Sequence, residues 1–139
     1  MSAPPDEVRL AHVAVIVHDL EAATHAFRDL LGLVPGGREV LAQEGIRMAF
    51  ARAGDSELEL IEPLDPRSAL GKFLVARGES VHHLALLVPD MEAAVARARA
   101  AGLRLIDEAP RPGARGTRIA FLHPSGTHGV LVELVEKRM

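Results

Sequence analysis

Four side chains with metal-ligand chemistry interrupt apolar, strand-like segments of this 139-residue sequence. His12 and His83 open the runs HVAVIV and HLALLV. Glu59 and Glu133 lie inside LELIE and VELVE, where burying a carboxylate is costly unless it is paired or binds a metal. Two imidazoles and two carboxylates suit a divalent ion such as Co²⁺, Mn²⁺, Ni²⁺, Zn²⁺ or Fe²⁺. These residues are therefore candidate metal ligands.

An internal repeat relates the two histidine and glutamate pairs. HVAVIVHDLEAA at 12–23 aligns with HLALLVPDMEAA at 83–94, and RMAF at 47–50 with RIAF at 118–121, both at an offset of 71 residues. LELIE at 58–62 matches VELVE at 132–136 at an offset of 74. A single histidine or glutamate in a strand is most often exposed or satisfied locally. The recurrence of both residue types in both copies favours a shared metal site instead.

Each copy of the repeat predicts the element order βαβββ. In the first, a strand over 12–17 is followed by Asp19 as helix cap and by a helix over 20–31 that ends at Gly32. Asp90 and Gly102 delimit the helix of the second copy. The predicted buried stripes are Leu20, Ala23, Phe27, Leu30 and Leu31, and Met91, Ala94, Val95 and Ala98. The three following strands lie in LVPGGREVLA, GIRMAFARAG and ELELIEP, and in LRLIDEAP, GTRIAFLHP and GVLVELVEK.

These elements predict an α+β fold in which two tandem βαβββ modules share a curved sheet. We expect a single domain over residues 1–139, with module 1 at about 9–62, a linking helix at 63–79 and module 2 at about 80–136. Ser68 is the expected cap of the linking helix. If the modules pack their concave faces together, the repeat symmetry brings both histidines and both glutamates to one point.

The composition and motifs of the sequence disfavour several kinds of binding partner and cofactor. The formal net charge of -3 does not favour a nucleic-acid or anionic-membrane partner, and the absence of cysteine excludes disulfides and thiolate chemistry. The N-terminus lacks the pattern of a secretory signal, so we expect a cytoplasmic protein. The turns at 111–117 and 123–129 lack the spacing of a phosphate-binding or dinucleotide-binding loop, so no such cofactor is expected.

Longer phrases carry a family resemblance that covers residues 9–136 almost entirely. HVAVIVHDLEAA, LELIEPL, GKFLVARGESVHHLAL, RLIDEAPRPGARGTRIAFLHP and GVLVELVE resemble the methylmalonyl-CoA epimerase family of the vicinal oxygen chelate superfamily. The resemblance implies metal ligands at His12, Glu59, His83 and Glu133, the set that the repeat had already selected. It also implies methylmalonyl-CoA as substrate, a bound Co, Mn, Ni or Zn ion, a homodimer and a role in propionate metabolism.

The implied reaction is an isomerisation that inverts C2 through an enolate, and it needs proton carriers on both faces. Some family members have Gln where this chain has Glu59, and Glu where it has Met48, which cannot accept a proton. We therefore expect Glu59 and Glu133 to be the catalytic acid and base as well as ligands. Two alternatives are a metal-dependent lyase of the glyoxalase I type and a metal-free small-molecule-binding protein of the superfamily.

Several other polar residues have local interpretations. We expect Glu62 and Glu136 to be solvated at strand ends, His82 to be structural or to support the metal ligands, and His123 and His128 to shape their turn. Five basic residues are candidates for contacts with the phosphates of coenzyme A, and none is preferred over the others: Lys72, Arg77, Arg111, Arg115 and Arg118.

Overall fold

The computed structural model describes residues 6–137, which form two compact units. One unit is His12–His82, and the other combines the segment up to Ala11 with the chain from His83 onward. Each unit contains one copy of the βαβββ repeat. None of the helices in the described residues is long and apolar enough to cross a membrane.

The unit His12–His82 is built on four strands in the order β2-β3-β4-β1. They are β1 (Arg9–Ile16), β2 (Val34–Leu41), β3 (Ile46–Ala53) and β4 (Ser56–Pro63). β2 and β3 are antiparallel, as are β3 and β4, whereas β1 and β4 are parallel. The parallel pairing aligns Ala14 with Glu59. Two candidate ligands thus lie on adjacent strands of one sheet.

The first helix starts where the sequence predicts but does not keep its α geometry. α1 (Leu20–Thr24) has Asp19 as its N-cap, whose carboxylate accepts a hydrogen bond from the Ala22 amide at 3.1 Å. A π-helix then covers His25–Leu30. Leu20 packs in the core with Ala23 and Phe27, as predicted.

Leu30 and Leu31 depart from the predicted stripe, since they are 70% and 67% exposed. A π-helical turn holds more residues than an α-helical turn, so the side chains that follow it rotate away from the buried face. The Leu31 amide bonds to the Ala26 carbonyl, five residues back, at 3.1 Å. The expectation of a regular helix over 20–31 was therefore wrong in its second half.

The linking segment forms α2 (Ala69–Arg77), shorter than the predicted 63–79. Ser68 caps it as predicted, since its hydroxyl accepts a hydrogen bond from the Gly71 amide at 3.0 Å. A Cβ atom at Gly71 would lie 2.2 Å from the Asp65 carbonyl oxygen, so only glycine fits here. The preceding turn therefore packs directly on the backbone of the helix.

The second unit repeats the plan with the strand order β5-β8-β7-β6. Its elements are β5 (Ser80–Leu87), α3 (Met91–Ala100), β6 (Arg111–Pro112), β7 (Arg118–Leu122) and β8 (Val132–Glu136). Asp90 caps α3 by accepting from the Ala93 amide at 3.1 Å. Met91, Val95 and Ala98 are buried against β7 and β8, which confirms the predicted stripe.

The strand predicted over 103–110 is absent from the described structure of this segment. Only an isolated bridge between Leu105 and Leu122 pairs there, and regular pairing is confined to the two residues of β6. The Asp107 carboxylate accepts a hydrogen bond from the Phe121 amide at 2.8 Å, so a side chain takes a donor that a strand would use. Pro110 has no amide hydrogen to continue the ladder.

Each sheet has an apolar face covered by its helix and a second face that carries the histidine and glutamate. In the second unit, Ala120, Leu122, Val132 and Leu134 face α3. Residues of opposite parity on the same strands, including Phe121 and Glu133, lie on the other face because side chains alternate along a strand. Strand parity thus separates the core from the candidate site.

Candidate active site

Within the unit His12–His82, the sheet brings the first predicted pair together. Glu59 pairs in register with Ala14 on β1, two residues beyond His12 and on the same face. His12 Nε2 lies 3.1 Å from Glu59 Oε2. Glu59 is only 6% exposed, so its carboxylate sits in the apolar interior with an imidazole beside it.

The second unit reproduces this arrangement from the repeat-equivalent residues. Glu133 on β8 pairs in register with Ala85 on β5, two residues beyond His83. His83 Nε2 lies 3.6 Å from Glu133 Oε1. Glu133 is also 6% exposed, and His83 is buried. Each unit therefore contains a buried carboxylate with an imidazole beside it at the same position of its βαβββ plan.

The chemistry of these pairs suits a cation. A buried carboxylate is strongly disfavoured without a counter-charge. The imidazole nitrogen beside it has a lone pair that can coordinate a divalent ion. Histidine nitrogens and carboxylate oxygens are ligands of Co²⁺, Mn²⁺, Ni²⁺ and Zn²⁺. The donor set of His12 with Glu59, and of His83 with Glu133, therefore fits such an ion.

The sequence profile of the Glyoxalase/Bleomycin resistance protein/Dioxygenase superfamily matches residues 11–121. The chain belongs to this superfamily. Its duplicated βαβββ plan is that of the glyoxalase-like, vicinal oxygen chelate fold, so the predicted fold class is confirmed.

Relatives within the superfamily are similar over most of their length. An uncharacterized protein of Bacillus subtilis (strain 168) is 37% identical, over 94% of this chain and 93% of that protein. The ethylmalonyl-CoA/methylmalonyl-CoA epimerase of Cereibacter sphaeroides is 37% identical, over 91% of this chain and 96% of that protein. A variant of Streptomyces coelicolor methylmalonyl-CoA epimerase, solved with 2-nitronate-propionyl-CoA, is 39% identical with a TM-score of 0.89, over 94% and 98% of the two chains. The predicted resemblance to these epimerases is confirmed.

Small and aromatic residues flank each glutamate. Ala14 and Ala85 are fully buried, and they leave room beside the carboxylates with which they pair. On the opposite side, Phe50 pairs in register with Glu59, and Phe121 with Glu133. The two phenylalanines give each carboxylate an apolar neighbour that limits access of water.

Met48 lies on the same sheet face as Glu59, opposite Ile61 in the antiparallel pairing of β3 and β4. It is fully buried. Its thioether carries no proton and is a weak acceptor. An apolar side chain without a titratable group therefore occupies the position where some family members have a glutamate.

A second pair of glutamates, Glu62 and Glu136, was wrongly expected to be solvated. The Glu62 side chain is largely buried; it accepts a hydrogen bond from the Leu20 amide at 2.7 Å and from Arg47 Nε at 2.9 Å. In the second unit, Glu136 accepts from the Met91 amide at 2.6 Å. Both carboxylates satisfy an amide at the start of a helix, which has no partner within that helix.

Arginines of the repeat complete these helix contacts. Arg47 pairs in register with Glu62, and Arg118 with Glu136, so each glutamate has a cation directly across the sheet. Hydrogen bonding to Glu62 raises the pKa of Arg47. The pKa of Arg118 is also raised, mainly by its hydrogen bond with Glu92 and in addition by attraction to Glu136. The repeated arginine in RMAF and RIAF is the signal that could have predicted this role.

The remaining histidines with predicted local roles are found in such roles. The His82 ring packs edge-on against Phe73, with centroids 4.7 Å apart, so His82 has a structural contact. His123 Nδ1 accepts from the Ser125 amide at 3.0 Å and caps the short helical turn Pro124–Gly126. His128 has a positive φ of 57° in the same loop. His123 and His128 therefore shape this turn.

Proposed function

We propose that this protein is a methylmalonyl-CoA epimerase that interconverts the 2R and 2S forms through an enolate. The observation that carries the proposal is the duplicated pair, in which a buried glutamate adjoins a histidine in each unit: His12 with Glu59, and His83 with Glu133. Relatives that match over most of this chain are named as epimerases of this substrate. The proposal therefore combines a site chemistry with a substrate class.

We further propose that His12, Glu59, His83 and Glu133 together hold one divalent ion, either Co, Mn, Ni or Zn. The proposal is supported by the equivalence of the two pairs in the repeat and by their donor atoms. When bound, the ion would supply Lewis-acid stabilisation of the negative charge that develops on the thioester oxygen. Each histidine supplies one of the proposed ligand atoms next to a buried carboxylate. Removing either histidine should therefore lower the affinity for the metal.

Glu59 and Glu133 are the proposed proton carriers. C2 of methylmalonyl-CoA lies between a thioester carbonyl and a carboxylate, so its hydrogen is acidic. One glutamate takes this proton, and the electron pair of the broken C–H bond moves to the thioester oxygen. The other glutamate, which starts protonated, then delivers its proton to the opposite face of C2 as the electron pair of the enolate returns to that carbon. Met48 cannot share in this transfer because it has no titratable group.

Apolar neighbours protect the proposed reaction from water. Phe50 and Phe121 lie beside the two glutamates in register, and Ala14 and Ala85 leave space next to them. A dry site strengthens electrostatic interactions and prevents the enolate from taking its proton from solvent at random. The side chains around each carboxylate therefore favour a proton transfer controlled by the protein.

The test is exchange of the C2 hydrogen of methylmalonyl-CoA for deuterium, followed by proton NMR in D₂O. We expect fast exchange with the purified protein, loss of exchange after treatment with EDTA, and recovery when a divalent ion is restored. The hemithioacetal of methylglyoxal and glutathione is the control substrate for glyoxalase I activity. Absence of metal-dependent exchange, or turnover of the hemithioacetal alone, would overturn the proposed function.

The wider setting of the enzyme is proposed on the same basis. We propose one functional domain and a cytoplasmic location, and, as the resemblance to the epimerase family implies, a homodimer and a role in propionate metabolism. Light scattering coupled to size-exclusion chromatography measures the mass of the particle, and a mass of one chain would overturn the dimer. Elemental analysis of protein purified without chelators identifies the metal.

A further inference from the structure

We propose that Phe121 positions the His83 imidazole for metal binding and that Asp107 holds Phe121 in place. The inference rests on the proposed function, because His83 is one of the four proposed ligands. It concerns two residues outside the proposed ligand set. All residues that carry it belong to the unit that contains His83 and Glu133.

The Phe121 ring packs against the His83 imidazole. Their centroids are 5.2 Å apart and their planes are inclined by 89°, which is the edge-to-face arrangement that aromatic rings favour. His83 is only 4% exposed, so this contact lies in the interior. The torsion χ2 of a histidine has broad minima, and neighbouring side chains must therefore fix the plane of its ring. Phe121 is such a neighbour for His83.

The orientation of the His83 ring matters because it sets the direction of a proposed ligand atom. His83 Nε2 lies 3.6 Å from Glu133 Oε1, and Phe121 pairs in register with Glu133. Neighbours that hold a metal ligand in its binding orientation raise metal affinity, since less freedom is lost when the ion binds. Phe121 therefore favours metal binding without contributing a donor atom.

Asp107 acts on Phe121 through both of its carboxylate oxygens. Oδ2 accepts a hydrogen bond from the Phe121 amide at 2.8 Å, and Oδ1 accepts from Arg111 Nε at 3.0 Å. The Arg111 Cζ atom lies over the Phe121 ring, 5.9 Å from its centroid. The Asp107 side chain is only 16% exposed, so water competes little for these bonds. Asp107 thus holds the backbone of Phe121 and a cation over its ring.

The repeat shows that this support belongs to the second unit. The offset is 71 residues on both sides of the segment, so Asp107 aligns with Gly36 and Phe121 with Phe50. A Cβ atom at Gly36 would lie 2.9 Å from the Phe50 Cβ atom. The backbone of Gly36 therefore leaves no space for a side chain beside Phe50, whereas a carboxylate contacts the equivalent phenylalanine of the second unit.

The test is titration of the EDTA-treated, dialysed protein with Co²⁺, in competition with a chromophoric chelator. The visible absorption of bound Co²⁺ reports the arrangement of its ligands. Phe121→Leu and Phe121→Met both remove the aromatic ring, and each should weaken Co²⁺ binding about 2- to 10-fold, the range of one aromatic contact, and change the spectrum. Phe121→Tyr keeps the ring and should stay close to wild type. Circular dichroism establishes that each variant is folded.

A double-mutant cycle tests whether Asp107 acts through Phe121. Asp107→Ala should weaken Co²⁺ binding in the wild-type background and have little further effect in the Phe121→Leu background. Asp107→Asn keeps an acceptor for the Phe121 amide and should weaken binding less than Asp107→Ala. Additive losses in the double variant would overturn the role of Asp107.

Phe73→Leu is the matched control. It removes a ring that packs edge-on against His82, which is not a proposed ligand, with centroids 4.7 Å apart. It should leave Co²⁺ affinity and the spectrum unchanged. Unchanged affinity in a folded Phe121→Leu or Phe121→Met variant would overturn the proposal, as would an equal loss in Phe73→Leu.

His83→Ala separates this inference from the proposals on which it rests. It should weaken Co²⁺ binding more than Phe121→Leu does, and unchanged affinity would overturn both the ligand assignment of His83 and the role of Phe121. Because the readout is metal binding, a protein that binds Co²⁺ in a Phe121-dependent manner but exchanges no C2 hydrogen would refute only the epimerase activity.

Discussion

The Glu136 carboxylate accepts a hydrogen bond from the backbone amide of Met91, at 2.6 Å. This contact ties the last strand of its unit to the first residue of α3, and Glu62 makes the equivalent contact with the Leu20 amide in the other unit. Each of these glutamates lies three residues after a site glutamate on the same strand. The face that holds the helix and the face that carries the site are therefore coupled through β4 and β8.

The Glu136 contact predicts a measurable contribution to stability. Glu136→Ala removes the acceptor for the Met91 amide and one carboxylate partner of Arg118, and we expect a loss of about 1–3 kcal/mol in the free energy of unfolding. Glu136→Gln keeps an acceptor and should cost less. Urea denaturation followed by circular dichroism measures both. Glu92→Ala is the control, because the Glu92 side chain is 69% exposed; a larger loss there would contradict the assignment.

Glu92 predicts a pH dependence of stability. Its hydrogen bond with Arg118 lowers the pKa of Glu92 below the ordinary value of 4.5. A carboxyl group with a lowered pKa in the folded state stabilises the protein above 4.5 and loses this contribution as the pH falls through the folded pKa. The difference in Tm between wild type and Glu92→Gln should therefore be larger at about pH 7 than at about pH 3. A difference that grows on acidification would exclude the ion pair as its cause.

Substitution of the two site glutamates should separate metal binding from proton transfer. Gln can still ligate through its oxygen but cannot carry the proton, so Glu59→Gln and Glu133→Gln should each slow C2 exchange about 10²- to 10⁴-fold with metal retained. Deuterium incorporation and metal content are measured on the same samples. If Glu59→Gln keeps its metal and exchanges at the wild-type rate, Glu59 is a ligand without a role as acid or base.

We expect Met48 to contribute only apolar packing beside the site and to take no part in proton transfer. Met48→Leu conserves volume, so it should cost less than about 1.5 kcal/mol of stability and leave the exchange rate within about threefold of wild type. Met48→Glu would place a carboxylate among buried apolar side chains and should lower Tm markedly. A severe loss of exchange in a stably folded Met48→Leu variant would show that the thioether itself takes part.

Much of the fold could be predicted because its signals are local. The caps at Asp19, Ser68 and Asp90 depend on a side chain and an amide three residues away, and all are found as predicted. The repeat likewise selected the histidine and glutamate pairs, and the register of β1 with β4 and of β5 with β8 places each His and Glu on one face. The prediction failed where a π-helix rotated Leu30 and Leu31 into solvent, because the choice between helix types depends on packing.

The sequence by itself determined the family, the βαβββ plan and the four candidate ligands, because repeated motifs and alternation are properties of the chain. Tertiary structure decided which polar residues meet. In the folded chain, Glu62 and Glu136 accept hydrogen bonds from the first amides of α1 and α3, and Asp107 accepts from both Arg111 and the Phe121 amide. Most of these contacts join segments that are distant in sequence. The contact between Asp107 and Arg111 instead spans a short irregular segment. Their geometry depends on strand register, which is fixed only when the sheet forms.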